Sequence, residues 1–271
     1  MSLSLSLSLT LITYIYIVIC SILISCINSN RNQYTLSTSD TMVQDINNNN
    51  KYFEIKNVFK RNNPYYTQGL FFVEGKEPAS LYLVESGGLY GNSVLIKYSY
   101  PDFKELSKYN LDGNLFGEGT ARCGNKVYQL TWRERKILRY TYPDLEYIDS
   151  INMDPDVQEG WGLAEYKNNM LIASDGSSNI YFLSCSDSAN DLKVVKRIKV
   201  MATNRYGSEE EINRINALSY DSANDVIYAN VYFSKNILNM EALMSNETST
   251  TKKLSFFSDK EELALRSNSD L

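Results

Sequence analysis

From about Tyr52 onward the chain alternates short apolar runs with clusters of Gly, Asn, Asp and Pro. Runs of this length, bounded by turn residues, read as β-strands rather than helices. They come in sets. Residues 69–73 lead into 81–85, 94–98 and 103–106. A second set begins at Gly119 and continues through 126–132, 136–140 and 145–148. A third begins at Gly162 and holds 170–174, 180–183 and 192–195; a fourth begins at Ala217, gives 226–232, and then fades. The starts at 69, 119, 162 and 217 are spaced by 43 to 55 residues, and Tyr100-Pro101-Asp102 recurs as Tyr142-Pro143-Asp144. Four short strands per unit at this period is the signature of propeller blades. The pattern predicts an all-β propeller of about three and a half blades, preceded by a strand over 52–59. No blade buries both faces alone, so stacking supplies the core.

The flanks read differently. Residues 9–27 carry no charge and are rich in Ile and Leu. Residues 1–27 read as a secretory signal peptide, or as a signal anchor, since the run is long enough to span a bilayer. Leu23-Ile24-Ser25-Cys26 has the form of a lipobox, without the basic residues that usually precede one. Residues 28–51, with the run Asn47-Asn48-Asn49-Asn50, read as a disordered linker. Residues 52–240 are then the propeller domain and 241–271 a polar, disordered tail, with a glycosylation sequon at Asn246-Glu247-Thr248. These features predict a secreted or endomembrane-lumen glycoprotein, or one held to a membrane by residues 9–27.

Composition narrows the chemistry. The 271 residues include no His, which excludes a Ser-His-Asp triad, a Cys-His pair and any zinc site with a His ligand. The four Cys (Cys20, Cys26, Cys123, Cys185) show no CxxC spacing, which argues against an all-Cys zinc site. A secreted chain is free to pair Cys123 with Cys185, but their spacing does not say whether they come close enough. A net charge of −5, with no basic stripe carrying aromatics, argues against nucleic acid as partner. No acidic cluster demands a metal, although a central Ca²⁺ stays open, and no cofactor is expected. Acid–base work falls to Asp, Glu, Lys, Tyr or Cys.

In a propeller the start of each innermost strand lines the central channel, so the lead-ins of successive blades converge. Here they are Thr67-Gln68-Gly69-Leu70, Gly117-Glu118-Gly119-Thr120, Gly160-Trp161-Gly162-Leu163 and Ile215-Asn216-Ala217-Leu218. An amide, a carboxylate, an indole and a second amide at one mouth make a small polar pocket with an aromatic wall. Taken by residue type alone, Glu118 reads first as a solvated turn residue. Trp132 and Trp161 then read as packing residues, and Gln68 and Asn216 as turn formers.

The same stretches resemble the plant-type glutaminyl-peptide cyclotransferases. The resemblance rests on Tyr66-Thr67-Gln68-Gly69-Leu70, Glu85-Ser86-Gly87-Gly88-Leu89-Tyr90-Gly91 and Phe116-Gly117-Glu118-Gly119. Further on come Tyr128-Gln129-Leu130-Thr131-Trp132, Gly160-Trp161-Gly162-Leu163-Ala164 with Ser174-Asp175-Gly176, and Arg214-Ile215-Asn216-Ala217-Leu218. The match runs in order from about 52 to 238. It implies a five-bladed propeller, incomplete here, that converts the N-terminal Gln of peptides or proteins to pyroglutamate and releases ammonia, as a monomer and without a cofactor. It also implies roles: Glu118 as general acid and base, Gln68 and Asn216 as polar groups holding substrate, and Trp132, Trp161 and Tyr66 as aromatic walls. Tyr232 stands where a third Trp is usual, and Ala217 where Glu is frequent. The resemblance further implies a last blade carrying a Lys near the site; no position here matches it, so either the gene model lacks its 3′ exon or the chain is truncated and inactive. Two other readings stay open: a non-catalytic propeller that binds peptides, and a lactonase-like hydrolase, which would need more channel carboxylates than the lead-ins supply.

Overall fold

Short apolar runs bounded by turn formers, rich in β-branched, aromatic and leucine side chains, become the strands of the domain. The computed structural model describes residues 65–74, 80–167, 169–186, 191–203, 208–234, 237–241 and 255–257. The signal or anchor segment, the linker, the strand expected over 52–59 and the sequon at Asn246 lie outside the described residues.

Four antiparallel four-stranded sheets follow one another along the chain. Blade 1 is β1 (Tyr66–Glu74), β2 (Leu81–Gly88), β3 (Val94–Ser99) and β4 (Glu105–Asn110). Blade 2 is β5 (Gly117–Cys123), β6 (Lys126–Thr131), β7 (Lys136–Thr141) and β8 (Tyr147–Asn152). Blade 3 is β9 (Leu163–Tyr166), β10 (Met170–Ser174), β11 (Asn179–Ser184) and β12 (Lys193–Lys199). A hairpin of β13 (Met201–Thr203) and β14 (Glu209–Glu211) then leads to blade 4: β15 (Ile215–Asp221), β16 (Val226–Val231), β17 (Ile237–Glu241) and β18 (Ser255–Phe257). Each blade is a meander whose strands pair in chain order. The fourth blade thus has all four strands. Its outer strand pairs Ile237 with Phe257 and Asn239 with Ser255, and it comes from within the segment that the sequence assigns to a polar tail beyond 240.

In blades 2 and 3 burial is highest in the inner and middle strands and lowest in the outer strand, whereas β1 of blade 1 is mostly half-buried. The innermost strand of blade 2 is buried at six of its seven positions. The outer strands β4 and β8 alternate exposed and half-buried residues. This gradient is what stacking blades around a centre requires. The blades adjoin through their innermost strands, β1 on β5, β5 on β9 and β9 on β15. Three apolar layers fill the interfaces. Val84, Leu95, Val127 and Leu138 lie between blades 1 and 2. Tyr128, Leu130, Leu171 and Leu183 lie between blades 2 and 3, and Ile172, Phe182, Ile227 and Leu238 between blades 3 and 4. Cys123 at the end of β5 is disulfide-bonded to Cys185 just after β11, with their Cα atoms 6.4 Å apart, so a covalent staple reinforces the second interface. The repeated Tyr-Pro-Asp links form matching turns: Phe103 N–H bonds Ser99 C=O in one and Leu145 N–H bonds Thr141 C=O in the other.

Candidate active site at the channel mouth

The lead-in residues reach the channel through irregularities in their own strands. The β1–β2 register shifts between Thr67 and Gly69, the β5–β6 register between Gly117 and Thr120, and the β15–β16 register between Ile215 and Leu218. Gln68, Glu118 and Asn216 sit in these three shifts. A bulge re-aims a side chain and ends the local ladder, so the three blades present an amide, a carboxylate and an amide from equivalent places. Two glycines beside them allow the blades to approach. A Cβ on Gly69 would lie 2.5 Å from Thr120 N, and one on Gly119 would lie 2.6 Å from Trp161 O. The Gly119 N–H in fact bonds that oxygen at 2.7 Å.

Glu118 is 7 % exposed. Gln68 Nε2 donates to its Oε1 across a long 3.4 Å bond. Burial raises the Glu118 carboxyl well above the ordinary carboxylate range, and the negative charges of Glu159 and then Glu134 raise it further. Water solvates a carboxylate far better than this pocket does, so the protonated form is favoured. The backbone of Glu118 is fixed from behind. Ser86 Oγ donates to the Glu118 carbonyl, Gln129 Nε2 donates to Ser86 Oγ at 2.7 Å, and Tyr140 OH donates to Gln129 Oε1 at 2.8 Å. In blade 3 Ser174 does the corresponding job, accepting from Gly162 N at 2.9 Å and donating to the Asn216 carbonyl at 2.8 Å.

The aromatic residues expected as walls come from two kinds of position. Trp161 is itself a lead-in residue. Trp132 and Tyr232 each stand one residue past the second strand of their blade, and their N–H groups bond the carbonyls of Phe116 and Arg214 respectively. Tyr232 of blade 4 is therefore the structural counterpart of Trp132 in blade 2. Trp161 and Tyr232 meet edge to face with centroids 5.6 Å apart. Tyr66 is hydrogen-bonded to Tyr232, and its phenol is raised above its ordinary value by burial, then by Tyr232 and Glu118. The residues singled out in the sequence thus converge: Gln68 on Glu118, Tyr66 on Tyr232 and Glu118, and Tyr232 on Trp161. Asn216 is buried, with its backbone packed against Gly162.

Sequence reasoning missed three participants. Phe116 packs edge to face on Trp132 at 5.5 Å and adjoins Tyr90 at 5.4 Å. Glu134 accepts from Phe116 N–H at 3.2 Å and from Tyr90 OH at 2.7 Å. Glu159 accepts from both indoles. Phe116 was within reach, since it opens the Phe-Gly-Glu-Gly stretch. The two glutamates carry no signal beyond standing two residues from a Trp. Among the described residues, no group of three Cys, Asp or Glu side chains is placed to hold a metal ion.

A sequence model described as glutamine cyclotransferase matches residues 23–262. The chain belongs to the glutamine cyclotransferase family. A glutaminyl-peptide cyclotransferase of Arabidopsis thaliana is 28% identical over 184 residues, covering 67% of this chain and 51% of that protein. The crystal structure of Myxococcus xanthus glutaminyl cyclase superposes with a TM-score of 0.52 at 27% identity, covering 65% of this chain and 66% of that one. The chain thus spans about half the length of the curated cyclotransferase it matches. For a glutamine cyclotransferase, the buried Glu118 carboxyl bonded by Gln68, with both indoles bonded to Glu159 nearby, is the arrangement to explain.

Proposed function

We propose that this glutamine cyclotransferase acts on peptides or proteins beginning with Gln, closing that residue to pyroglutamate and releasing ammonia. The observation that carries the proposal is Glu118, buried at the mouth with its carboxyl raised well above the ordinary range, beside an amide and between aromatic walls. In the reaction the α-amine nitrogen attacks the side-chain carbonyl carbon of the same Gln. A C–N bond forms, the amine loses a proton, and the C–N bond to the leaving amide nitrogen breaks once that nitrogen gains one. A single carboxylate within reach of both nitrogens takes the first proton and gives the second. Substrate supplies both reacting groups, so holding them in a closing conformation removes much of the barrier. Gln68 and Asn216 offer amide donors to the carbonyl oxygen as it gains charge. Trp132, Trp161, Tyr66 and Tyr232 wall off water.

The test uses the full chain and a Gln-initiated dipeptide, with ammonia release as the readout. Release from the free dipeptide, and none from its N-acetylated form, is the expected result. Binding without ammonia release would favour the peptide-binding reading instead. We further propose that the protein works as a monomer outside the cytosol, in the secretory lumen or beyond, where the Cys123–Cys185 pair would persist. Fractionation that recovers a full-length cytosolic form would contradict this.

A further inference from the structure

Glu159 lies in the loop between β8 and β9, outside every motif singled out in the sequence. Its Oε2 accepts from Trp132 Nε1 at 2.7 Å and from Trp161 Nε1 at 2.9 Å. Its Oε1 lies 3.4 Å from Arg133 Nε, and the Arg133 guanidinium sits 3.9 Å over the Trp132 ring. One indole follows β6 in blade 2 and the other leads into β9 in blade 3, so a single oxygen ties aromatic walls that belong to different blades. An indole has one N–H and no acceptor, so these bonds are the single polar tether available to each ring. A carboxylate offers about four acceptor positions. Two indoles and a guanidinium occupy most of them, which leaves Glu159 poorly placed to take a substrate amine.

We infer that Glu159 is a positioning residue that sets the spacing of the two indole walls, acting through Trp132 and Trp161 and not on substrate. The contribution of the Arg133 pair is small, because Arg133 is largely exposed and solvent screens it. The indole bonds are the part that holds geometry. Glu159 also acts on Glu118 at a distance. The titratable groups that face Glu118 are Glu159 and Glu134, with Tyr66 on β1 and Tyr90 in the β2–β3 turn; after burial, Glu159 is the strongest influence raising its carboxyl. Removing the Glu159 charge therefore moves the Glu118 titration to lower pH.

The kinetic part of this inference rests on the cyclase reading; the geometric part does not. Trp132 and Trp161 are the chain's two tryptophans, so the folded protein gives two indole N–H signals in a ¹H–¹⁵N spectrum. Glu159→Ala is expected to move both signals upfield together and to lower kcat/KM for a Gln-initiated dipeptide by about 10- to 100-fold, the scale of a misplaced pocket wall. Glu159→Gln keeps an acceptor oxygen. It is expected to restore both indole signals toward wild type and recover much of the activity, while the acid limb of kcat/KM shifts to lower pH. Unchanged indole signals in Glu159→Ala, or movement of one alone, would overturn the inference. So would two displaced signals with unchanged kcat/KM. Should Glu159→Ala fail to fold, displaced indole signals in a folded Glu159→Gln, or an acid limb that stays in place, would overturn it equally. If the signals behave as expected while wild type releases no ammonia, the brace stands and the cyclase reading falls.

Discussion

Replacing Gln129 by Leu tests the buried polar chain behind Glu118. Gln129 is fully buried in β6. It donates to Ser86 Oγ at 2.7 Å and to the Val94 carbonyl at 3.1 Å, and it accepts from Tyr140 OH at 2.8 Å. Leucine fills nearly the same volume with no polar atom. The variant therefore strands the hydroxyl of Tyr140, which is itself fully buried, at about 1–3 kcal/mol. Loss of the two donated bonds adds about 0.5–1.5 kcal/mol each. The sum is about 2–6 kcal/mol. A domain of this size loses about 2–4 °C of melting temperature per kcal/mol, so the midpoint should fall by about 4–24 °C. The pairwise term can be isolated. Tyr140→Phe alone leaves Gln129 Oε1 without its donor, whereas Gln129→Leu with Tyr140→Phe removes both ends. The double variant should therefore cost less than the sum of the singles, with a coupling of about 1–3 kcal/mol. Urea unfolding followed by circular dichroism measures all four proteins. Additive costs, or a single variant that melts within about 2 °C of wild type, would refute the role given to this chain.

Two other predictions follow from the same structure. Reduction of Cys123–Cys185, which are separated by 62 residues in sequence, should cost about 4 kcal/mol from the entropy regained by the unfolded chain; melting with and without reductant checks it. Glu118→Gln should stabilise the protein at neutral pH. The Glu118 carboxyl is raised in the folded state, so wild type loses stability relative to the variant once pH rises past the ordinary carboxylate value, where the unfolded chain ionises first. The difference should vanish at about pH 4 and below, and a constant gap down to low pH would contradict it.

Much of the fold is legible in the sequence because its signal repeats. Four sets of short runs and the doubled Tyr-Pro-Asp link carry the blade count, and the lead-ins name Gln68, Glu118, Trp161 and Asn216 without any long-range information. What escaped depends on contacts the period does not encode. The strand Ser255–Phe257 is three residues long and sits in a polar stretch, so it forms only because β17 offers an edge to pair with. The Glu209–Glu211 strand looks like a solvated acidic run, and it pairs because β13 lies opposite. Cys123 and Cys185 meet because two blades stack, which spacing alone cannot show. Gln129 did leave a trace: a polar residue within Val127-Tyr128-Gln129-Leu130 on a buried strand implies a buried partner. Glu159 left none, since its role appears only when two tryptophans from different blades reach one oxygen.

The most direct measurement of the central claim is the rate at which Glu118→Gln cyclises a Gln-initiated dipeptide, with folding verified by circular dichroism. Gln matches Glu in size and still forms hydrogen bonds, but it cannot accept and return a proton. Ammonia release is expected to fall by about 10²- to 10⁴-fold, the usual worth of general acid–base catalysis, with the fold intact. A folded Glu118→Gln protein that releases ammonia at the wild-type rate would show that another group moves the proton.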